Sequence, residues 1–282
     1  LIAQELGLDP ADVRKRNLIQ PENLPYTTPT GITYDSGNYE LAMDRALQLA
    51  DYQTWRNRAR QDRAPGEPLL GVGLATVLKA SGAYGEVRDD SAQISIDASG
   101  QITAYVGISP HGQGSETTFA QVAADELGVR PQDVLIVHSD TGVIRAGGGT
   151  SASRGTVVAG SAMVLMLRQA RDKLNRIASH LLDCPIEELV FAEGRVSSTV
   201  DLSKSTTFAQ VASAAYDEER LPPGEDLGLD FDGDYTLPNN PYAFGAHVAV
   251  VEINPETGDM RIVKYVAVHD CGRIINPKIV DG

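Results

Sequence analysis

The hydrophobic positions of the chain follow two periods, one typical of strands and one typical of helices. Between Ser91 and Asp97, the residues Ala92, Ile94 and Ile96 alternate with polar ones, which is the period of a strand with one buried face. Alternation or short apolar runs predict strands over residues 69–78, 91–97, 102–106, 134–138, 247–253 and 260–269. Apolar residues spaced three and four apart predict helices over residues 1–6, 10–17, 39–63, 117–127, 157–182 and 208–216.

Two of the predicted helices carry apolar faces that indicate how they pack. Helix 39–63 is expected to bury Leu41, Ala42, Leu47, Leu49 and Trp55. The stretch VVAGSAMVLMLRQA in helix 157–182 is apolar on nearly every side, so we expect it to lie against a sheet. Because helices interleave with antiparallel hairpins, the sequence favours the α+β class, with mixed or antiparallel sheets, over a doubly wound parallel sheet.

Segments rich in proline and glycine separate these elements. Residues 20–38 and 220–240 are expected to be irregular loop, and RAPGEP at 63–68 is the best candidate for a linker. We therefore predict two domains, 1–65 and 66–282. Because LIAQEL begins without an initiator methionine or a capping residue, we expect the chain to be a fragment of a longer protein.

Composition excludes several classes of protein. The 282 residues are 42% hydrophobic and carry a formal net charge of -14, which argues against a nucleic-acid surface. No apolar run reaches the length of a membrane span or of a signal-peptide core. Cys184 and Cys271 lie far apart without a CxxC motif, so we expect two free thiols in a reduced, cytoplasmic protein.

A first glycine loop precedes the helix predicted over 117–127. In SPHGQGSETTFAQVAADELGV, the residues Gly112, Gln113 and Gly114 stand immediately before the helix. Glycines permit close approach of a ligand, and the free amides of a helix start favour an anion. The stretch lacks the third glycine of a dinucleotide fingerprint and the lysine of a P-loop. Two interpretations stay open, an anion-binding loop or a tight turn with Ser115 as the N-cap.

A second loop repeats this pattern before helix 157–182. RAGGGTSASRGT, residues 145–156, combines glycines with Arg154 and four hydroxyl residues, which are Thr150, Ser151, Ser153 and Thr156. An arginine can give two parallel hydrogen bonds to a phosphate, and the hydroxyls can donate others. The alternative is a surface loop with a solvated arginine. Two such loops in an acidic chain predict that an anion is bound locally.

Other polar groupings are weaker. His269, Asp270 and Cys271 suggest a nucleophile or metal ligands, but no second histidine stands at metal spacing in the local sequence. A strand end with a packed cysteine is the preferred interpretation. Asp89 and Asp90 are expected to be ordinary solvated acids.

Taken in order, the motifs resemble one family. GQGSETTFAQVAADELG, LGVRPQDVLIVHSDT, GTSASRGT and AFGAHVAVVEINPETGDMRIVKYVAVHDCGRIINP, with LGLDPADVRKRNLI and YDSGNYELAM earlier, are similar to the molybdenum-binding large subunit of the xanthine dehydrogenase, aldehyde oxidase and carbon monoxide dehydrogenase family. The resemblance covers nearly the whole chain. It implies the fold of that family's cofactor-binding domains, with residues 1–65 ending the first and residues 66–282 forming most of the second.

The resemblance also implies a cofactor and the residues that bind it. The family holds molybdenum on molybdopterin, often in its cytosine dinucleotide form. Gly112, Gln113 and Gly114 match the family's GQG loop, where Gln113 is expected to bond the cofactor near its metal end. The residues that match its second loop are Ala152, Ser153, Arg154 and Thr156. Residues 74–79 occupy the place where relatives contact substrate.

The implied reaction is hydroxylation of an aldehyde, a xanthine-like N-heterocycle or carbon monoxide with oxygen from water. Its electrons leave through [2Fe-2S] and FAD groups on partner domains or subunits, and the intact enzyme is expected to be a dimer of heteromers. No residue matches the family's catalytic glutamate or its GGxFG and AYRGxG segments, so we assign no catalytic residue and no metal ligand. The chain alone is expected to be inactive. A non-catalytic binding or assembly module, and less favourably a nucleotide-dependent dehydrogenase, are the alternatives.

Overall fold

The chain folds into two compact units. The computed structural model describes residues 1–61, 63–83, 87–144 and 146–282. The first unit, called unit 1, combines Leu1–Ala80 with Pro241–Arg273, and the second, unit 2, combines Ser81–Asn240 with Ile274–Gly282. These borders separate two sets of residues that contact one another mainly within each set. They do not test the family domains predicted at 1–65 and 66–282, which stay a prediction. Within the described ranges, no helix is long and apolar enough to cross a membrane.

Helices and strands alternate along the chain. The helices are α1 (Ile2–Glu5), α2 (Pro10–Lys15), α3 (Tyr39–Ala50), α4 (Tyr52–Ala59), α5 (Ser115–Leu127), α6 (Gly160–Leu182), α7 (Phe208–Ala214) and α8 (Pro277–Asp281). The strands are β1 (Tyr26–Thr27), β2 (Thr33–Tyr34), β3 (Leu69–Ala80), β4 (Asp89–Ile96), β5 (Ile102–Val106), β6 (Val134–His138), β7 (Leu189–Ala192), β8 (Arg195–Ser198), β9 (Ser205–Thr207), β10 (Asp230–Thr236), β11 (Tyr242–Ile253) and β12 (Met260–Asp270). Together with the strand pairing, this confirms the predicted α+β class.

Unit 1 is built on a three-stranded antiparallel sheet in the order β12-β11-β3. Helix α3 packs against β11 and β12. The core between them contains Met43, Ala46 and Ala50 from the helix and Ala246 and Val248 from the central strand, all buried. Because side chains alternate across a strand, the odd-numbered residues of β11 near its centre point to the face away from this core.

The prediction of one helix over residues 39–63 is wrong in two respects. The helix is interrupted at Asp51, whose φ of 54° lies in the left-handed region, and it resumes as α4. Its buried face is also different, because Leu41 and Leu49 are more than half exposed. The small residues Ala46 and Ala50 are buried instead, since they let the helix approach the sheet closely.

Unit 2 is built on a four-stranded mixed sheet in the order β10-β4-β5-β6. Strands β5 and β6 are parallel and are joined by α5 as a crossover, whereas the other neighbours are antiparallel. Helix α6 packs on β4 and β10 and against α5, which confirms that this helix lies on a sheet. Its burial is one-sided rather than complete, because Leu165 is 40% exposed.

Three strands of unit 2 form a separate small sheet, β7-β8-β9. The sequence interpretation missed this sheet, and it also assigned loop to the residues of β10. Strand β10 has the sequence DFDGDYT, in which three aspartates and a threonine occupy the exposed positions and Gly233 is half-buried. These outward residues resemble turn residues, so the strand depends on its pairing with β4 and not on local propensity.

Candidate functional site

The two glycine loops lie at the same edge of the unit 2 sheet. The first follows β5 and the second follows β6, and these two strands are parallel neighbours. The carboxyl ends of parallel strands share one edge, which is where open α/β sheets bind ligands. Helix α5 begins at this edge and leads back to β6. The fold thus explains why two loops 30 or so residues apart in the chain meet in space.

Direct hydrogen bonds join the two loops. The amide of Gly149 donates to the carbonyl of Gly107 at 3.1 Å, and the amide of Ser109 donates to Thr150 Oγ1, also at 3.1 Å. Gly107 has no room for a side chain, because a Cβ there would lie 2.3 Å from Asp90 Oδ1 and 2.5 Å from Gly147 Cα. The loops are therefore packed backbone to backbone.

The first loop turns into α5 through two left-handed glycines. Gly112 has φ 97° and Gly114 has φ 77°. Gly114 is the N-cap and Ser115 is the first helical residue, so the predicted capping role of Ser115 is wrong. Gln113 is exposed, and its Oε1 accepts a hydrogen bond from the His111 amide at 2.6 Å. A Cβ on Gly112 would meet no atom within 4 Å, so this part of the loop faces open space.

An acidic residue occupies the start of α5. Its own backbone amide, and then His138, hold the pKa of the Glu116 carboxyl below its ordinary value. The Nε2 atom of His138 lies 2.9 Å from Glu116 Oε1. An anion that binds the amides at this helix start would therefore have to displace Glu116.

The second loop contains two strained residues. Ala152 has φ 45° and Ser153 has φ 56°, and consecutive non-glycine residues in the left-handed region are uncommon. The Ala152 carbonyl accepts a hydrogen bond from the Gly82 amide at 3.0 Å, and the Arg154 amide donates to the Ser151 carbonyl at 2.9 Å. Strain that the surroundings hold in place is typical of ligand-binding loops.

Arg154 is buried and bonded within the protein. Its side chain is 1% exposed and its Nη2 lies 3.1 Å from Asp90 Oδ2, a carboxylate that is fully buried. The guanidinium also donates to the carbonyls of Asp89 at 2.6 Å and Val87 at 3.3 Å. These contacts contradict the expected parallel pair of hydrogen bonds to a phosphate. Arg154 instead fixes the loop to β4.

Asp90 is the site residue that the sequence interpretation missed. The prediction of a solvated acid is wrong, because Asp90 is 2% exposed. Burial raises its pKa to about 6, against the opposing attraction of Arg154. The burial of Asp90 could nevertheless have been predicted from the sequence, because Asp90 is in phase with the buried Ala92, Ile94 and Ile96 of the same strand.

The remaining predicted residues are accessible. Ser153 and Thr156 are exposed, and their hydroxyls have no hydrogen-bond partner in the described part of the chain. Thr156 belongs to a π-helical turn, Gly155–Ala159, that leads into α6, and such turns are frequent at functional sites. Arg145, at the start of the predicted loop, lies outside the described residues.

Two further predictions fall in unit 1. Residues 74–79, expected near substrate, form part of β3, and their role stays a prediction. His269 lies near the end of β12, and the exposed Cys271 follows it, whereas Cys184 is buried and both thiols are free. The prediction of a packed cysteine at this strand end is therefore wrong. A second histidine, His247, does lie beside His269, through strand pairing that local spacing did not reveal.

Comparisons with known proteins agree with this geometry. Residues 45–282 match the family model described as molybdopterin cofactor-binding domain. The chain is 37% identical over 292 aligned positions to the carbon monoxide dehydrogenase large chain of Hydrogenophaga pseudoflava, covering 100% of this chain and 36% of that relative.

Solved structures give the same result. The reconstituted CO dehydrogenase from Oligotropha carboxidovorans superposes with a TM-score of 0.91 at 34% identity, over 99% of this chain and 36% of that one. Quinoline 2-oxidoreductase from Pseudomonas putida 86 gives a TM-score of 0.90 at 34% identity, with the same two coverages of 99% and 36%. The chain thus spans about a third of the length of the relatives that it matches.

Proposed function

Because this chain belongs to the molybdopterin cofactor-binding domain family, we propose that it forms part of the cofactor site in the large subunit of a molybdenum hydroxylase. The observation that carries this proposal is the meeting of two glycine loops at one sheet edge, joined by the Gly149 and Ser109 hydrogen bonds. We take residues 1–65 and 66–282 as the end of one cofactor-binding domain and most of the next.

The residues at the edge fit an extended, anionic cofactor. Open space lies beyond Gly112. The exposed hydroxyls of Ser153 and Thr156 and the exposed side-chain amide of Gln113 offer polar contacts without a basic surface. Backbone amides and hydroxyls are suited to phosphate groups. In this assignment Gly112, Gln113 and Gly114 bind on one side and Ala152, Ser153 and Thr156 on the other.

Arg154 has a different part in the same site. Its bonds to Asp90 and to two carbonyls hold the second loop against β4. It therefore belongs to the cofactor-binding loop as the residue that orients Ser153 and Thr156. Molybdopterin, when bound, supplies a redox-active molybdenum that takes electrons from the substrate.

The relatives suggest the reaction, the partners and the form of the cofactor in the intact enzyme. We propose water-dependent oxidation of carbon monoxide, an N-heterocycle or an aldehyde, with electrons passing to iron–sulfur and FAD groups on partner subunits. The cofactor would be molybdopterin, as such or as its cytosine dinucleotide, in a cytoplasmic dimer of heteromers. The free state of both cysteines supports the reducing location. No residue of this chain matches the family's glutamate base, so the 282 residues alone are proposed to have no turnover.

The proposal is tested in the complete large subunit with its partners. Gln113→Ala removes the side-chain amide of the first loop, whereas Gly112→Val places a branched side chain in the open space and strains the backbone at φ 97°. We expect about tenfold weaker retention of the cofactor in Gln113→Ala, the effect of losing one hydrogen bond to a charged group, and a loss at least as large in Gly112→Val. Pterin is measured by fluorescence after oxidation and molybdenum by mass spectrometry.

Gln132→Ala is the matched control. Gln132 is exposed and precedes β6, at the opposite edge of the sheet, so its loss should leave the cofactor content unchanged. Equal pterin and molybdenum in all variants would instead support a non-catalytic module whose glycine loops are only turns. Activity assays with carbon monoxide, quinoline and an aldehyde then distinguish the substrates.

A further inference from the structure

Two imidazoles meet on the open face of the unit 1 sheet. His247 lies on β11 and His269 on β12, and their Nε2 atoms are 2.5 Å apart. The hydroxyl of Tyr265 lies 2.9 Å from the other ring nitrogen of His247. The three side chains form a row across two strands, and the proposed cofactor site does not use any of them.

The strand register brings these rings together. His247 stands opposite Ala267 and Ala75, and His269 stands opposite Gly245. A Cβ on Gly245 would lie 2.5 Å from His269 Cδ2, so the glycine lets the His269 ring lean towards β11. The ring centroids of the two histidines are 4.6 Å apart.

The face that carries the row is solvent-accessible. Ala246 and Val248 point into the core, so His247 points away from it. His269 is exposed, as is Tyr265 at 58%. A solute can therefore reach the pair from the side opposite α3.

The arrangement has the chemistry of a metal site. A metal bound by two imidazole nitrogens at about 2.0–2.1 Å places those nitrogens about 3 Å apart, and small rotations of the rings reach that separation. Ligating histidines usually donate their other N–H to an acceptor, which fixes the tautomer. Tyr265 can accept that hydrogen from His247 Nδ1 and leave the Nε2 lone pair free.

We propose that His247 and His269 form a two-imidazole site for a divalent transition metal, of the class that imidazole prefers: Cu²⁺, Ni²⁺ or Zn²⁺. Among the residues that the structure describes, no group of three or more histidine, cysteine or carboxylate ligands is present. Water therefore completes the coordination. Tyr265 is a positioning residue that orients His247.

The test uses Cu²⁺ alone, added to the full chain in a Cys271→Ser background. That background removes the exposed thiol, which would reduce the metal. Electron paramagnetic resonance counts the nitrogens bound to Cu²⁺, and a titration gives the affinity. We expect one bound Cu²⁺ with two imidazole nitrogens. His247→Ala and His269→Ala should each weaken binding at least about tenfold, and Tyr265→Phe should keep both nitrogens with about tenfold lower affinity.

His180→Ala serves as the matched control, because His180 is an exposed histidine in the last turn of α6. It should leave the two-nitrogen spectrum and the affinity unchanged, and circular dichroism verifies that each variant is folded. A wild-type spectrum with one nitrogen or none, or equal affinity in wild type and both single variants, would overturn the site. Unchanged affinity in Tyr265→Phe would overturn the positioning role.

Discussion

At the scale of single residues, the buried pair of Arg154 and Asp90 holds the loop that we propose binds an anionic cofactor. The positive charge is used inside the protein, where it fixes the loop, and the surface of the loop offers neutral donors. Ser153 and Thr156 project from a backbone that is held by Arg154 and by the Gly82 amide. Removing a buried partner of this kind is costly, because it leaves polar groups without hydrogen bonds.

Arg154→Met tests this directly. Methionine has a similar length but leaves Asp90 and the carbonyls of Val87 and Asp89 without their donor. We expect the free energy of unfolding to fall by about 3 kcal/mol, measured by urea denaturation. Arg168→Met is the control, because the Arg168 side chain is 64% exposed and lies 3.4 Å from Glu126 Oε1. Its cost should stay within about 0.5 kcal/mol, and equal effects of the two substitutions would contradict the buried role.

The titration of Asp90 gives a second prediction. Its folded-state pKa, about 6, lies above the ordinary value of 3.8, so the folded chain binds this proton more tightly than the unfolded chain. Its contribution to stability is therefore fully present below pH 3.8 and is lost as the pH rises through about 6.

Asp90→Asn removes this titration. Between pH 4 and pH 7, the unfolding free energy of the wild type should decrease by about 2 kcal/mol relative to that of the variant. Denaturation of both proteins across this range provides the measurement. A constant difference, or one that changes in the opposite direction, would show that the pKa of Asp90 is not raised.

At the scale of elements, the parallel pair of β5 and β6 creates the candidate site. Each loop is an ordinary strand-to-helix connection when considered alone. The crossover through α5 brings them to one edge, and Gly107 permits the backbones to touch. The contact between the two loops therefore depends on Gly107, a residue that has no side chain.

Gly107→Ala should disrupt this contact. Its Cβ would meet Asp90 Oδ1 at 2.3 Å and the Ala146 carbonyl at 2.7 Å, so we expect a loss of about 2 kcal/mol in unfolding free energy. Gly73→Ala, in the middle of β3, is the control, since a Cβ there meets nothing within 4 Å. Thermal denaturation should show a lower midpoint only for the first variant. Similar midpoints would indicate that the loops are loosely packed.

The break between α3 and α4 gives an independent prediction. Asp51 occupies the left-handed region at φ 54°, where glycine has no steric penalty. Asp51→Gly should keep or slightly raise the stability, whereas Asp51→Val should lower it by about 1–2 kcal/mol. Chemical denaturation compares the two. If Asp51→Val left the stability unchanged, residue 51 would not need the left-handed conformation, and α3 and α4 would form one continuous helix.

Sequence patterns predicted elements with clear periodicity better than their interruptions. The strands around Ala92 and Val248 and the long helix α6 follow from apolar spacing. The break at Asp51 and strand β10 do not, because they depend on tertiary packing that overrides local propensity. The pairing of Arg154 with Asp90 required the fold as well, since β4 and the second loop are far apart in the chain.

At the scale of the whole molecule, the chain belongs to the molybdopterin cofactor-binding domain family and spans about a third of its relatives. Its net charge of -14 is compatible with an anionic cofactor because the donors are local. The two loops that contain the predicted site residues meet at one sheet edge in unit 2. We propose that both loops bind the same cofactor.

Amide hydrogen exchange measures cofactor binding at both loops in one experiment. The complete large subunit is prepared with and without molybdopterin, and exchange is followed in residues 109–118 and 146–158. We expect slower exchange in both segments when the cofactor is bound, with residues 129–133 at the opposite edge unchanged. Cofactor binding that leaves the exchange of either loop unaltered would contradict the proposal.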